Sequence, residues 1–128
     1  MKYLIISLLF SSILFSQSLK CTIKSVVSVN DKGEIATDNE KFALAKVGES
    51  FSVDRNTGKI IGSKLLANTN AGIPIITKQG KDNSFIVLTK HKSGDISLLK
   101  IKTWEEDMTF FYVTTSMGQV TGICNYYK

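Results

Sequence analysis

Apolar and polar residues alternate along most of the chain after residue 20, in short runs separated by turn-forming residues. Alternation with a period of two is typical of strands that bury one face. The intervening segments are rich in Gly, Asn, Asp and Ser, which suit tight turns. The pattern predicts strands at Cys21–Val29, Glu34–Thr37, Phe51–Val53, Ile60–Ile61, Ile73–Lys78, Ser84–His91, Ile96–Trp104, Met108–Thr115 and Gln119–Tyr127.

Evenly spaced strands with short connections predict an all-β fold, an antiparallel meander that forms a small closed or nearly closed barrel. A two-sheet β-sandwich is the alternative. At most one short helix is expected, near residues 39–47, where helix-forming residues precede a glycine. The longest irregular segment is Ser63–Gly72, and its Asn68 and Asn70 are candidate binding residues because long loops on rigid scaffolds often carry binding.

The N-terminus departs from the strand pattern. Lys2 supplies a positive start, residues 3–15 are almost wholly apolar, and small residues precede a possible cleavage point after Ser18. This order predicts a cleaved secretory signal peptide over 1–18 and a single β domain over 19–128. The apolar run is shorter than the roughly 20 residues that cross a bilayer. We therefore expect a periplasmic or secreted protein.

The chain has 16 Lys and Arg against 11 Asp and Glu, a net charge of +5. Loss of the signal peptide removes Lys2 alone among the charged residues and leaves +4. Lys90, Lys92, Lys100 and Lys102 fall on or beside neighbouring predicted strands and form a candidate cationic contact face for an anionic partner. Export argues against a nucleic-acid partner, and no membrane span is expected in the mature chain.

Catalytic and metal-binding signatures are absent from the sequence. It contains one His and two Cys, and no G-x-S-x-G, H-E-x-x-H or phosphate-binding glycine loop. No nucleophile can be placed beside His91 from the sequence alone. The acidic run 105–107 is too compact for a calcium loop and predicts a solvated turn. We expect no enzymatic activity, no cofactor and no bound metal.

Cys21 and Cys124 lie near the two ends of the predicted mature chain. An even number of cysteines in an exported protein favours a disulfide. The absence of C-x-x-C favours a structural bridge over a redox pair.

Alternation in the first strand predicts which residues accompany Cys21 on the inner face. Ile23, Val27 and Val29 share its phase. Val26 is the one apolar residue that breaks this alternation. Both cysteines are expected to point inward.

Residues 51–62 read FSVDRNTGKIIG, and Gly122-Ile123-Cys124 stands near the C-terminus. This layout resembles a group of small exported bacterial proteins of unknown function that share a signal peptide, an early Cys, an F-x-[VF]-D-R-x-T-G hairpin and a late G-x-C. The resemblance implies export and the disulfide, and it assigns no catalytic residue. Within the motif we expect a structural hairpin built by Asp54, Arg55, Thr57 and Gly58. In it Asp54 accepts from backbone N–H groups and Arg55 reaches a carboxylate.

The function expected from these features is that of a non-catalytic binding module for a protein or a cell-envelope component. One alternative is a periplasmic lysozyme inhibitor, which the architecture resembles, although a basic chain suits a basic lysozyme poorly. The other is a small-ligand carrier with an apolar barrel cavity. Its candidate lining residues are Phe51, Phe85, Phe110, Phe111 and Trp104.

Overall fold

The chain is described by a computed structural model at residues 18–30, 32–37, 46–63, 66–69, 72–80, 84–115 and 118–127. Every regular element among these residues is a strand, which confirms the all-β prediction. Most of segment 39–47, the predicted helix, lies outside the described residues. The nine strands are β1 (Leu19–Val29), β2 (Ile35–Thr37), β3 (Ser50–Val53), β4 (Ile60–Ile61), β5 (Gly72–Gln79), β6 (Phe85–His91), β7 (Ile96–Ile101), β8 (Met108–Thr114) and β9 (Gly118–Tyr126).

All nine strands belong to one antiparallel sheet, with the order β4-β3-β1-β9-β8-β7-β6-β5 and β2 beside β1. The strands from β5 to β9 each pair with the next strand in the chain, as predicted for a meander. A single sheet distinguishes this fold from the two-sheet sandwich. In the described part of the chain, no helix is long and apolar enough to cross a bilayer.

Strand β1 pairs with three other strands. Most of its length pairs with β9, while its other edge pairs first with β3 and then with β2. Between these two partners, the Ile23 N–H donates to the Glu49 carbonyl at 2.9 Å and the Gly48 N–H donates to the Ile23 carbonyl at 2.8 Å. Strand β1 is therefore hydrogen-bonded on both edges, even at the junction between its partners β3 and β2.

The inner face of the curled sheet holds the hydrophobic core. Phe51 and Phe110 meet there edge to face with ring centroids 5.2 Å apart, a favourable geometry for aromatic pairs. The disulfide between Cys21 and Cys124 lies in the same core, which confirms the predicted pair and its inward orientation. The buried core residues are Leu19, Cys21, Ile23, Val26, Phe51, Val53, Ile60, Leu66, Phe85, Val87, Leu99, Ile101, Met108, Phe110, Tyr112, Val120 and Cys124.

The predicted inner face of β1 is wrong after Ile23. The β1–β9 register passes from Ile23 opposite Gly122 to Ser25 opposite Thr121, so Lys24 is an extra residue in β1. Such a β-bulge shifts the alternation by one residue. Beyond it Val26 faces inward, while Val29 is 50% exposed.

The predicted strand Ile96–Trp104 is too long at its C-terminal end. Strand β7 ends at Ile101, and the chain turns immediately because the Thr103 N–H donates back to the Ile101 carbonyl at 3.0 Å. Trp104 therefore lies in the turn before β8 and is 55% exposed.

The two ends of the strand order, β4 and β5, are brought together by side chains of the β3–β4 region. Arg55, in the turn after β3, donates to the Gln79 carbonyl at the end of β5 at 3.1 Å. Asn68, which follows β4, contacts Thr89 of β6 at 3.4 Å. The curled sheet is thus a nearly closed small barrel whose last gap is bridged by side-chain hydrogen bonds.

Candidate functional site

A groove of about 690 Å³ crosses the outer face of the sheet over β1, β9, β8 and β7. Its floor and walls combine apolar side chains, two threonines and three lysines. The lining residues are Lys24, Lys100, Lys102, Thr109, Phe110, Phe111, Thr121, Gly122 and Ile123. Pockets of this size are typical of small-ligand sites.

Strand geometry explains why the lysines meet this groove. Lys100 and Lys102 flank the buried Ile101 at the end of β7, so both point away from the core. Across the sheet Lys100 pairs with Phe111, which pairs with Thr121. On the far side, Lys24 follows the buried Ile23 of β1 and faces the same outer side.

Gly122 lets the strands under the groove approach closely. A side-chain carbon at this position would collide with the Thr22 carbonyl of β1 and with the Phe110 ring. The absence of a side chain allows the Phe110 ring to pack across its strand partner Gly122 inside the core. The groove therefore lies over a tightly packed part of the sheet.

The four lysines of the predicted cationic face form two groups. Lys100 and Lys102 line the groove near the β7–β8 turn. Lys90 and Lys92 lie at the opposite end of the β6–β7 hairpin and are exposed. The two groups are separated by a row of apolar side chains, so the predicted lysines do not make one continuous stripe.

Lys24 belongs to the groove and was not among the predicted face residues. The sequence placed it on the outer side of β1, yet nothing local connected it to lysines more than 70 positions away. The break in alternation at Val26 was the available signal of the bulge. Only the pairing of β1 with β9 brings Lys24 to the β8–β9 surface.

The hairpin residues form a structural turn. Asp54 accepts from the Asn56 N–H at 2.8 Å, and Thr57 accepts from the Lys59 N–H at 3.3 Å. Gly58 has a φ of +76°, and a side-chain carbon there would lie 2.8 Å from a methyl group of Val87. A glycine is required on both counts.

Arg55 has partners other than the predicted carboxylate. Its guanidinium donates to the Gln79 carbonyl at 3.1 Å and to the Tyr126 hydroxyl at 3.2 Å. It also lies 5.9 Å from the ring centroids of Phe85 and Tyr126. Because a guanidinium has several donors and a flat apolar face, it can join these carbonyl and aromatic groups at once.

Asn68, a predicted binding-loop residue, is instead a buried structural residue, only 1% exposed. Its amide oxygen accepts from the Ile60 N–H at 2.9 Å, and its amide nitrogen donates to the Gly58 carbonyl at 2.8 Å and to the Thr89 hydroxyl at 3.4 Å. A side chain committed to these internal bonds cannot contact a macromolecular partner. Asn70 lies outside the described residues.

His91 has a serine neighbour that the sequence did not reveal. Its Nε2 lies 3.0 Å from the Ser97 hydroxyl. Ser97 is only 2% exposed and also bonds the Tyr112 hydroxyl. Burial raises the pKa of Tyr112, an effect that the Ser97 hydrogen bond partly offsets. A nucleophile must reach its substrate, so this buried geometry fits a structural network better than a catalytic pair.

The aromatic residues considered for a carrier cavity do not share one interior. Phe51, Phe85 and Phe110 are packed in the core. Phe111 faces the opposite side of the sheet and lines the groove. Trp104 is exposed in the β7–β8 turn. Among these aromatic residues, Phe111 therefore presents its side chain to the outer groove and not to the core.

Among the residues that the structure describes, no three His, Cys, Asp or Glu side chains are grouped so that they could hold a metal ion. A search of protein-family models, of curated proteins and of solved structures finds no match for this chain. Its function must be inferred from its own residues.

Proposed function

We propose that this protein is an exported, non-catalytic binding module that contacts an anionic component of the cell envelope through the groove on its outer face. The observation that carries the proposal is the arrangement of Lys24, Lys100 and Lys102 around an apolar floor. Ammonium groups over an apolar surface favour a ligand that offers negative charge together with apolar contact.

Charge supports this assignment. The predicted mature chain carries a net charge of +4, and among the described residues the groove is lined by three lysines and by no Asp or Glu. The nearby Glu105 carboxylate accepts a hydrogen bond from the hydroxyl of Thr109, a groove residue, at 3.4 Å. The positive groove would attract an anion from solution and disfavour a cationic partner such as a basic hydrolase.

Export determines which anions the protein can meet. The N-terminal residues 1–18 have the pattern of a cleaved signal peptide. The buried disulfide is compatible with an oxidising compartment. Mass spectrometry without reductant should find a mature chain that begins at Leu19 and contains the disulfide. An unprocessed chain would contradict export by a cleaved signal peptide.

Binding to envelope material tests the proposal directly. The purified mature chain is mixed with membrane vesicles and with cell-wall polymer, and the bound fraction is measured at low and at physiological ionic strength. We expect the double variant Lys100→Gln/Lys102→Gln to lose binding. The matched control Lys90→Gln/Lys92→Gln removes the same charge outside the groove and should keep it. Equal losses in both variants, or no binding by the wild type, would overturn the proposal.

A further inference from the structure

The outer face carries an apolar track that begins in the groove. Phe111 lines the groove, and Val113 follows two residues later on the same face of β8. Val113 pairs with Leu98 of β7, which pairs with Leu88 of β6. Each of these side chains is only partly buried, so the track is accessible from outside.

The track continues to the edge of the sheet. Leu88 pairs with Ile75 of β5, which is exposed, and the neighbouring Ile73 is 74% exposed. From β8 to β5 the track crosses three strand spacings, about 14 Å. Contiguous exposed apolar residues of this kind mark interaction sites more often than isolated ones do.

Positive charge is concentrated at the groove end of this track. Lys100 and Lys102 stand on one wall and Lys24 on the other. The lysine ammonium is a compact charge on a flexible stem and binds phosphate and carboxylate groups readily. The outer face thus has a cationic groove at one end and an apolar track leading from it.

This distribution matches an amphiphile better than a polyanion. A charged polymer would require cations along its whole path, yet Leu98 and Leu88 separate the groove lysines from Lys90. A molecule with an anionic head and an alkyl chain would place its head among the groove lysines. Its chain would then cover the apolar track, where removing each methylene from water favours binding.

We infer that the groove binds a single amphiphile with an anionic head group and an unbranched alkyl chain, the head between Lys24 and Lys100 and the chain along Phe111 and Val113. This inference deepens the proposed function and rests on it, because it names the class of envelope component. The chemistry is shared by fatty acids and by anionic lipids.

Isothermal titration calorimetry with three probes below their aggregation concentrations tests the inference. Dodecyl phosphate carries both parts, dodecyl maltoside has the same chain with a neutral head, and inorganic phosphate is a head without a chain. We expect dodecyl phosphate to bind one molecule per chain. The other two probes should bind at least about tenfold more weakly, since each lacks one class of contact.

Variants locate the bound probe. Lys100→Gln/Lys102→Gln should weaken dodecyl phosphate about tenfold, while Lys90→Gln/Lys92→Gln should leave its affinity unchanged. Val113→Thr keeps a β-branched side chain and should weaken the same probe by several-fold. The control Ile61→Thr alters an exposed apolar residue on β4, which β3, β1 and β9 separate from Phe111 and Val113 on β8, and should have no effect.

Several results would overturn the inference. In the first, dodecyl phosphate fails to bind, or dodecyl maltoside binds equally well. In the second, an acidic peptide displaces dodecyl phosphate from the groove because it binds more strongly. In the third, the protein binds anionic vesicles without binding the free probe. If the probe fails while envelope binding still depends on Lys100 and Lys102, the amphiphile inference falls and the proposed function stands. If the probe does not bind and envelope binding does not depend on these lysines, the inference and the proposed function are both wrong.

Discussion

Cys21 lies directly opposite Cys124 in the ladder between β1 and β9, so the disulfide joins two strands that already pair along most of their length. Both residues are fully buried. The bridge closes a sequence separation of 103 residues and ties the first described strand to the last. The disulfide therefore adds stability to a pair of strands that is also held together by backbone hydrogen bonds.

Replacement of both cysteines should therefore weaken the fold without abolishing the sheet. Cys21→Ala/Cys124→Ala is expected to lower the free energy of unfolding by about 2–5 kcal/mol, since the unfolded chain gains entropy when the loop is opened. Denaturant unfolding measures the loss, and far-ultraviolet circular dichroism checks that the β signal persists. Added reductant should not destabilise the double variant further. An unchanged free energy of unfolding would contradict the structural role.

Asn68 is predicted to be one of the most sensitive polar positions. Asn68→Ala leaves the buried Ile60 N–H and Gly58 carbonyl without their partner and should cost about 2–4 kcal/mol of unfolding free energy. The exposed Asn56 provides a control, because Asn56→Ala should cost less than about 0.5 kcal/mol. Similar urea midpoints for the two variants would show that Asn68 does not hold the β4 and β6 regions together.

Arg55 joins the two ends of the strand order, and lysine cannot replace it. Arg55→Lys keeps the charge but loses the planar fork that reaches both Gln79 and Tyr126, so we expect a loss of about 1–2 kcal/mol. Lys59→Gln, a change at an exposed base of the same hairpin, should be near neutral. Hydrogen exchange should show faster opening of β4 and β5 in the Arg55 variant, and unchanged exchange there would contradict the bridging role.

Tyr112 makes stability depend on pH in the alkaline range. Its pKa is raised mainly by burial, so the folded protein keeps the phenol proton at pH values where the unfolded chain releases it. At pH values below the ordinary tyrosine pKa, about 10, the phenol is protonated in both the folded and the unfolded state, so its titration does not lower the free energy of unfolding. As the pH rises through and beyond that value, the unfolded state binds fewer protons and the free energy of unfolding falls.

The variant Tyr112→Phe isolates this effect. Its free energy of unfolding should decline less steeply than that of the wild type above pH 10, because phenylalanine has no proton to release. Below that pH the two proteins should differ by a constant amount, which reflects the lost hydrogen bond with Ser97. Parallel curves across the whole range would show that Tyr112 does not contribute to the alkaline loss.

Much of the fold was predicted from the local pattern of apolar and polar residues. Eight of the nine strands begin and end within two residues of their predicted bounds. A strand with one buried face alternates apolar and polar residues, and this alternation is visible in the sequence. Strand β7 is the exception at its C-terminal end. The pairing of Cys21 with Cys124 also followed without a structure, since two cysteines allow a single intramolecular bridge.

The candidate site was predicted only in part from the sequence. Lys100 and Lys102 were predicted because they share a face of one strand. Phe111 was considered for the interior, and its place on the outer face follows from the phase of β8 between Phe110 and Tyr112. Asn68 gave no local signal of burial, because its partners lie on two other segments, residues 58–60 and β6.

By itself the sequence determined the strands, their antiparallel succession, the disulfide and the basic surplus, since these depend on neighbouring residues and on composition. The tertiary structure decided the bulge at Lys24, the bridging by Arg55 and Asn68, and the meeting of three lysines over Phe111. These features depend on which strand lies beside which and in what register. A single extra residue in β1 reverses the direction of every later side chain, and such a shift leaves almost no trace in a local pattern.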